Sequence, residues 1–135
     1  ANSIGAYFAL HSLAGQRIEK AFLISPIVDM EELIIQMMAQ AGITEGELEK
    51  RKEIYTSCGG KISWEYLCYV RKNPLAWNIP TEVLYGGSDH MTSCETISAF
   101  ASLTGAGLTV MKGGEHWFHT KEQMAFLDAW IKRSQ

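Results

Sequence analysis

Three short apolar segments alternate along the chain with longer segments of helical spacing, and this alternation constrains the fold more than any other feature. The segments are "KAFLISP", "TEVLYGG" and "GLTVMKGG". The first two are nearly continuous apolar runs, which are typical of strands buried on both faces. Strands that alternate with helices predict a parallel sheet with helices packed on its faces. We therefore predict an α/β fold in the order helix, strand, three helices, strand, helix, strand, helix.

Capping residues mark where the predicted helices begin. Asp29 precedes an apolar pattern of helical spacing, and capping boxes begin at Thr44, Thr92 and Thr120. Gly15 is placed to end the first helix, because glycine tolerates the left-handed conformation found after many helix ends. These signals predict one helix between the second and third strands and another after the third.

The stretch between the first two strands is too long for a simple crossover. We predict a helical cap or lid at residues 27–79, inserted into a core formed by residues 1–26 and 80–135. Met37 and Met38 recur on one face of the first helix of this insert. Such a face indicates either ordinary packing or an acyl pocket, because methionine adapts to flexible chains.

Composition excludes several classes of protein. The chain has 135 residues, is 47% hydrophobic and carries a formal net charge of −3. It has no clustered basic patch, so no nucleic-acid partner is expected, and its apolar runs are too short to span a membrane. The cysteines Cys58, Cys68 and Cys94 are odd in number and irregularly spaced. They are typical of reduced thiols, and we expect a cytoplasmic protein.

Polar side chains follow the predicted strands where each one ends. Asp89 follows "TEVLYGG", His116 follows "GLTVMKGG", and Ser3 stands just before the first helix. Sites in open parallel sheets form at the edge where the strands end. We therefore expect a serine, a carboxylate and a histidine to meet at one edge of the sheet, as nucleophilic catalysis requires.

Each of these residues also has an ordinary structural interpretation. Ser3 is a favoured helix cap, Asp89 suits a turn, and His116 could bind the loop backbone. His119 is the nearest competing histidine, and Glu115 with both histidines could suggest a metal site. Their spacing matches no usual zinc motif, so no metal is expected.

Three short motifs resemble the α/β-hydrolase superfamily. "ANSIG" is similar to its G-x-S-x-G nucleophile elbow, "LYGGSDHMT" to its acid loop and "GGEHWF" to its histidine loop. The resemblance implies a Ser3–His116–Asp89 triad, with the backbone N–H of Ile4 as one oxyanion donor. It covers the whole chain but the C-terminal half of a usual member, with strands six to eight and a lid. Ala1 departs from the motif, because it replaces the first glycine of the elbow.

The resemblance implies a serine hydrolase that cleaves carboxylic esters or thioesters through an acyl-enzyme and needs no cofactor. Acyltransferase or peptidase activity on the same triad, or a non-catalytic interaction module, stay open as alternatives. A dehalogenase is disfavoured, because that branch has Asp where Ser3 stands. Met37, Trp64 and Trp117 are candidate residues for binding the acyl group of a small-molecule substrate.

The chain begins without an initiator Met and inside the elbow motif. We therefore expect an N-terminal half upstream that contributes further strands and the second oxyanion donor. Without it, the strand in "AFLIS" becomes an unpaired edge, which favours self-association or pairing with a complementary fragment. We expect the 135-residue chain alone to be a weak catalyst.

Overall fold

A computed structural model describes residues 1–57 and 59–135 of the chain. They form two compact units, one of Ala1–Val28 with Ala76–Gln135 and one of Asp29–Leu75. The predicted thiol Cys58 lies outside the described residues, whereas Cys68 and Cys94 are free cysteines. In chain order the elements are α1 (Ser3–Ser12), β1 (Ala21–Ile24), α2 (Met30–Ala41), α3 (Glu45–Arg51), β2 (Glu53–Tyr55), β3 (Lys61–Ser63), α4 (Trp64–Lys72), β4 (Thr81–Gly86), α5 (Cys94–Thr104), β5 (Gly107–Met111) and α6 (Lys121–Ser134).

The first unit is built on the predicted parallel sheet, with strand order β1-β4-β5. Leu23 pairs with Val83, and Leu84 pairs with Thr109, both in parallel register. The prediction that strands are buried on both faces is confirmed for the middle strand β4, where almost every residue is buried. The flanking strands β1 and β5 are partly exposed. The parallel order brings the C-terminal ends of β1, β4 and β5 to one edge, which confirms the predicted α/β class.

A cluster of buried side chains joins β4, β5 and α6 behind that edge. Leu84, Met111, Phe118 and Trp130 form its centre. The Trp130 ring meets the Phe22 ring edge to face, with centroids 5.8 Å apart. Because Phe118 stands two residues beyond His116, this core anchors the loop that carries the histidine.

The second unit contains the three predicted helices and also a hairpin that the sequence interpretation missed. The capping box at Thr44 opens a helical pattern through "EGELEKRKEIY", and the prediction of one helix over this stretch is wrong beyond α3. Glu53–Tyr55 is strand β2, which pairs antiparallel with β3, with Ile54 opposite Ile62. The chain turns at Lys52, whose φ of +67° ends the helix. The alternating burial of β2 then suits a strand with one buried face. The lid role of this unit stays a prediction.

An arginine joins the three helices of the second unit. The Arg71 guanidinium on α4 lies 2.8 Å from the Glu31 carboxylate on α2 and 2.5 Å from the Glu45 carboxylate on α3. Hydrogen bonds to both carboxylates raise the pKa of the Arg71 guanidinium further above its usual range. The group is therefore a fixed positive charge between two helices.

Most predicted helix caps are confirmed. The side chains of Asp29, Thr44 and Thr120 each accept a hydrogen bond from the backbone N–H three residues on. The prediction for Thr92 is wrong by one residue, because Ser93 caps α5. Helix α1 ends before Leu13 rather than near Gly15.

We expect Trp130→Ala to lower the free energy of unfolding of the first unit by about 3–5 kcal/mol, because a fully buried indole leaves a cavity. Trp130 is 1% exposed, and its Nε1 has no hydrogen-bond partner among the described residues. Trp130→Phe should therefore cost much less, since it keeps most of the packing and removes an unpaired N–H group. Urea unfolding of both variants checks this, and equal losses would contradict it.

Candidate active site

Ser3 stands at a sharp turn between an extended segment and helix α1. Asn2 is extended, with φ −136° and ψ 158°, and it bridges in parallel to Ile24 on the outer side of β1. The Ile24 N–H donates to the Ala1 carbonyl at 3.0 Å. Ser3 then adopts φ +49°, a left-handed conformation that costs a non-glycine residue roughly 1–2 kcal/mol. The geometry is an extended residue paired to β1, a strained residue and a helix, which is similar to a nucleophile elbow.

The Ser3 hydroxyl forms a hydrogen bond with His116 and does not cap helix α1. Asn2, not Ser3, is the residue that flanks α1 at its N-terminus. The Ser3 Oγ lies 2.9 Å from the His116 Nε2. The segment that follows β1 holds the backbone of the turn, because the Ile27 N–H donates to the Ser3 carbonyl at 3.0 Å.

The structure also brings Asp89 to the histidine. The His116 Nδ1 lies 2.8 Å from the Asp89 Oδ2, and the two side chains are only 7% and 1% exposed. A carboxylate accepts the Nδ1–H of a neutral imidazole, which leaves the Nε2 lone pair free to accept the Ser3 hydroxyl proton. The start of α1 and two loops therefore contribute three side chains that are joined in one chain of hydrogen bonds.

The second oxygen of Asp89 is fixed by its own loop. Oδ1 accepts from the Met91 N–H at 2.7 Å and from the Thr92 N–H at 3.4 Å. The Tyr85 hydroxyl, buried in β4, donates to the Thr92 carbonyl at 2.7 Å. Burial first, and then the charge of Asp89, raises the pKa of Tyr85 to about 12. The hydroxyl therefore keeps its proton, and this brace on the acid loop holds at any physiological pH.

The acid loop and the histidine loop meet where neither has a side chain. The Ser88 N–H donates to the Gly114 carbonyl at 2.8 Å, and the Gly87 N–H donates to the Met111 carbonyl at 2.9 Å. A Cβ on Gly86 would lie 2.5 Å from the Gly114 oxygen and 2.6 Å from the Glu115 oxygen. Glycine is required at Gly86 because the neighbouring backbone fills the space of a side chain.

Helix α1 lacks the side-chain cap that every other helix of the described chain has. Asn2 makes no capping hydrogen bond to any described residue, and the first backbone bond into the helix runs from the Ala6 N–H to the Asn2 carbonyl. The N–H of Ile4 comes before that bond, so it is one of the donors that a helix leaves unsatisfied at its start. This N–H stands next to Ser3, where an oxyanion would need it.

The remaining predicted residues have different positions. Trp117 is 62% exposed, and its ring meets the His116 ring edge to face, with centroids 5.1 Å apart. Met37 and Trp64 belong to the second unit, where Trp64 lines an open groove of about 700 Å³. Gly5 of the elbow motif has no described atom within 4 Å of where a Cβ would stand. Within residues 1–57 and 59–135, no group of three or more His, Cys, Asp or Glu side chains is placed to hold a metal ion.

Two residues that brace the loops of Asp89 and His116 are not indicated by the sequence pattern. The pattern of "TEVLYGG" indicates only a strand at Tyr85, and the available signal is that a tyrosine in a buried strand needs a partner for its hydroxyl. The spacing of Thr120 and Gln123 predicts a capping box, and the Gln123 N–H does donate to Thr120. The Gln123 side chain instead binds the loop that holds His116, accepting from the His119 N–H at 3.2 Å.

We expect Gly86→Ala to separate the two loops, because the new methyl group cannot occupy the space held by the Gly114 and Glu115 carbonyls. The exchange protection of the Ser88 amide, which donates to Gly114, should fall with it. Amide hydrogen exchange followed by NMR measures this. Gly46→Ala in α3 is the matched control, since no described atom lies within 4 Å of its new Cβ. Unchanged protection in Gly86→Ala would contradict the prediction.

Comparison with solved structures shows which fold this is. A candidate hydrolase from Agrobacterium vitis S4 is 15% identical and superposes with a TM-score of 0.72 over 98% of this chain and 59% of its own. Mouse alpha/beta hydrolase domain-containing protein 10 is 17% identical, with a TM-score of 0.69 over 99% of this chain and 61% of its own. Est1E from Butyrivibrio proteoclasticus is 16% identical, with a TM-score of 0.70 over 97% of this chain and 58% of its own.

No protein-family model matches the sequence, and no curated protein matches it either. The chain covers 58% to 61% of the length of these three structures. None of its helices, over the residues that the structure describes, is long and apolar enough to cross a membrane. The parallel sheet, its flanking helices and these superpositions together show that the chain adopts part of the α/β-hydrolase fold.

Proposed function

We propose that the chain carries the catalytic site of a serine hydrolase that cleaves carboxylic esters or thioesters through an acyl-enzyme. The observation that carries this proposal is the hydrogen-bond chain from the Ser3 Oγ through the His116 ring to the Asp89 carboxylate, at 2.9 and 2.8 Å. A serine hydroxyl is a weak nucleophile, and it needs an adjacent base that a third group orients. The names of the superposed structures, which include hydrolases, support the same class.

The reaction follows from the direction of each hydrogen bond. As the Ser3 Oγ attacks the carbonyl carbon, its proton passes to the His116 Nε2, and the Asp89 carboxylate stabilises the imidazolium that forms. The carbonyl oxygen becomes an oxyanion, which the Ile4 N–H is placed to bind. Collapse breaks the bond to the alcohol or thiol, and His116 returns the proton to that leaving group. Water then attacks the acyl-enzyme with His116 as base again, which frees the acid and restores Ser3.

The exposed indole beside the triad favours a substrate with an apolar group. Trp117 contacts the His116 ring on one side and exposes 62% of its surface on the others. A large exposed aromatic side chain next to a reactive group is a ready contact for an acyl chain or ring. We therefore assign Trp117 to the substrate-binding surface of the first unit.

The first test of this function is covalent labelling. A fluorophosphonate probe should label the chain on Ser3, and Ser3→Ala should abolish the label, because the nucleophile is gone. Ser12→Ala is the matched control, since Ser12 is an exposed serine at the other end of α1. Peptide mass spectrometry locates the adduct. A folded wild-type chain that takes no label would support a non-catalytic module instead.

The second test concerns the carboxylate. Asp89→Asn should slow labelling by up to about 10⁴, the loss seen for the same change in a studied protease, because an amide favours the wrong imidazole tautomer. Asp128→Asn is the control for loss of charge, since Asp128 lies on α6 and pairs with Lys132 at 2.7 Å in an exposed position. The measurement is the second-order labelling rate constant. Equal rates in the two variants would exclude Asp89 from the site.

A further inference from the structure

The loop that carries His116 is held by different means on its two sides. Toward β5, the backbone holds it, because the Gly114 N–H donates to the Met111 carbonyl at 3.0 Å and the Gly114 carbonyl accepts from the Ser88 N–H at 2.8 Å. Toward α6, the chain runs for several residues before the helix begins at Lys121. On that side Phe118 packs in the core, and a buried amide side chain supplies hydrogen bonds to the loop.

The Gln123 side chain brackets the histidine. Its Oε1 accepts from the His119 N–H at 3.2 Å, and its Nε2 donates to the Glu115 Oε2 at 3.1 Å. Glu115 directly precedes His116 in the chain, and His119 follows it by three residues. Gln123 is 6% exposed, and a buried amide with both ends bonded is fixed in orientation. One side chain therefore ties together the two ends of the segment that presents the imidazole.

The direction of both bonds is set by chemistry. A backbone N–H can only donate, so the Gln123 oxygen faces His119, and a carboxylate can only accept, so the amide nitrogen faces Glu115. His119 completes the arrangement, because its Nδ1 lies 2.7 Å from the Trp117 carbonyl and 3.6 Å from the Glu115 Oε2. The segment from Glu115 to His119 is thus a small ring closed by side chains around His116.

We propose that Gln123 is a positioning residue, which fixes the His116 imidazole between Ser3 and Asp89 through Glu115 and His119. The proposal rests on the proposed function and adds a residue to it. The imidazole must satisfy two hydrogen bonds at once, on opposite nitrogens, so a small rotation of the loop weakens both. Misplacement of a reacting group by about 1 Å can lower the rate about 10²-fold. We therefore expect the two hydrogen bonds of the Gln123 side chain to affect the reactivity of Ser3.

Exchanging the amide of Gln123 with the carboxylate of Glu115 tests the hydrogen bond between them without truncating either side chain. Gln123→Glu keeps the shape and the acceptor for His119 but places two carboxylates together, so the bond to Glu115 becomes a repulsion. Glu115→Gln leaves an amide oxygen that still accepts from Gln123. In the double variant Gln123→Glu with Glu115→Gln, the amide at position 115 donates to the carboxylate at position 123, and the bond is restored in the reverse direction.

We expect Gln123→Glu to slow fluorophosphonate labelling at least about tenfold, and the double variant to recover to within about threefold of the wild-type rate. Gln16→Glu is the matched control, since Gln16 lies in an exposed turn and undergoes the same chemical change. Thermal unfolding is measured alongside. A wild-type rate in a folded Gln123→Glu chain, or a loss that the double variant does not recover, would overturn the proposal.

A second readout does not depend on labelling. The proton between the His116 Nδ1 and the Asp89 carboxylate gives a downfield NMR signal, which is assigned by its loss in Asp89→Asn. We expect this signal to shift or broaden in Gln123→Glu and to return in the double variant. A wild-type chain that takes no label would refute the proposed function, whereas an unperturbed signal in Gln123→Glu would refute the positioning role. Recovery of stability without recovery of the signal would also refute it.

Discussion

The contact between two glycines holds the site together. The backbone at Gly86, where β4 ends, lies against the backbone at Gly114, after β5, at a distance that excludes a side chain on Gly86. Two parallel strands bring their ends to one edge, but they do not bring the loops beyond that edge into contact. The loops come into contact because Gly86 has no side chain to keep them apart. The Ser88 N–H then joins the two loops by donating to the Gly114 carbonyl. Asp89 follows this contact on one loop and His116 on the other, so their 2.8 Å hydrogen bond depends on it.

Near this contact, the backbone is strained at Ser3, the residue that faces His116. Ser3 has a positive φ, and Ser25, just after β1, has one as well, with φ +43°. Ser25 is 2% exposed, and its Oγ has no partner within the described part of the chain. Left-handed backbone and unpaired buried hydroxyls both disfavour folding. The core of Leu84, Met111, Phe118 and Trp130 lies directly behind the same edge and supplies apolar burial that offsets such costs.

The sequence supported the architecture more firmly than the details of the site. Apolar runs and capping residues are local signals, so the three parallel strands and the caps at Asp29, Thr44 and Thr120 could be predicted from them. The hairpin of β2 and β3 was missed because charged residues in "EKRKEIY" suit a helix equally well, and only pairing with Lys61–Ser63 decides for a strand. Thr92 and Gln123 each matched a capping pattern, but the Thr92 N–H donates to the Asp89 carboxylate. The Gln123 N–H donates to Thr120 as predicted, whereas its side chain binds the histidine loop. These loop partners stand only three and four residues away along the chain. The same spacing that suits a helix cap also suits these loop contacts, so the residue types alone do not decide between the two.

The uncapped start of α1 links occupancy of the site to the stability of the fold. The capping oxygens of Asp29, Thr44, Ser63, Ser93 and Thr120 are built into the chain, so each of the other helices of its described part satisfies one of its first N–H groups internally. At α1 the Asn2 side chain supplies no such acceptor, so these N–H groups can donate to solvent or to the negatively charged oxygen of a bound molecule. A ligand that binds the folded chain at 100 times its dissociation constant stabilises it by about 2.7 kcal/mol. In the proposed reaction, an acyl group or inhibitor whose oxygen accepts from the Ile4 N–H would supply the acceptor that this helix start lacks, so binding and the stability of α1 would be coupled.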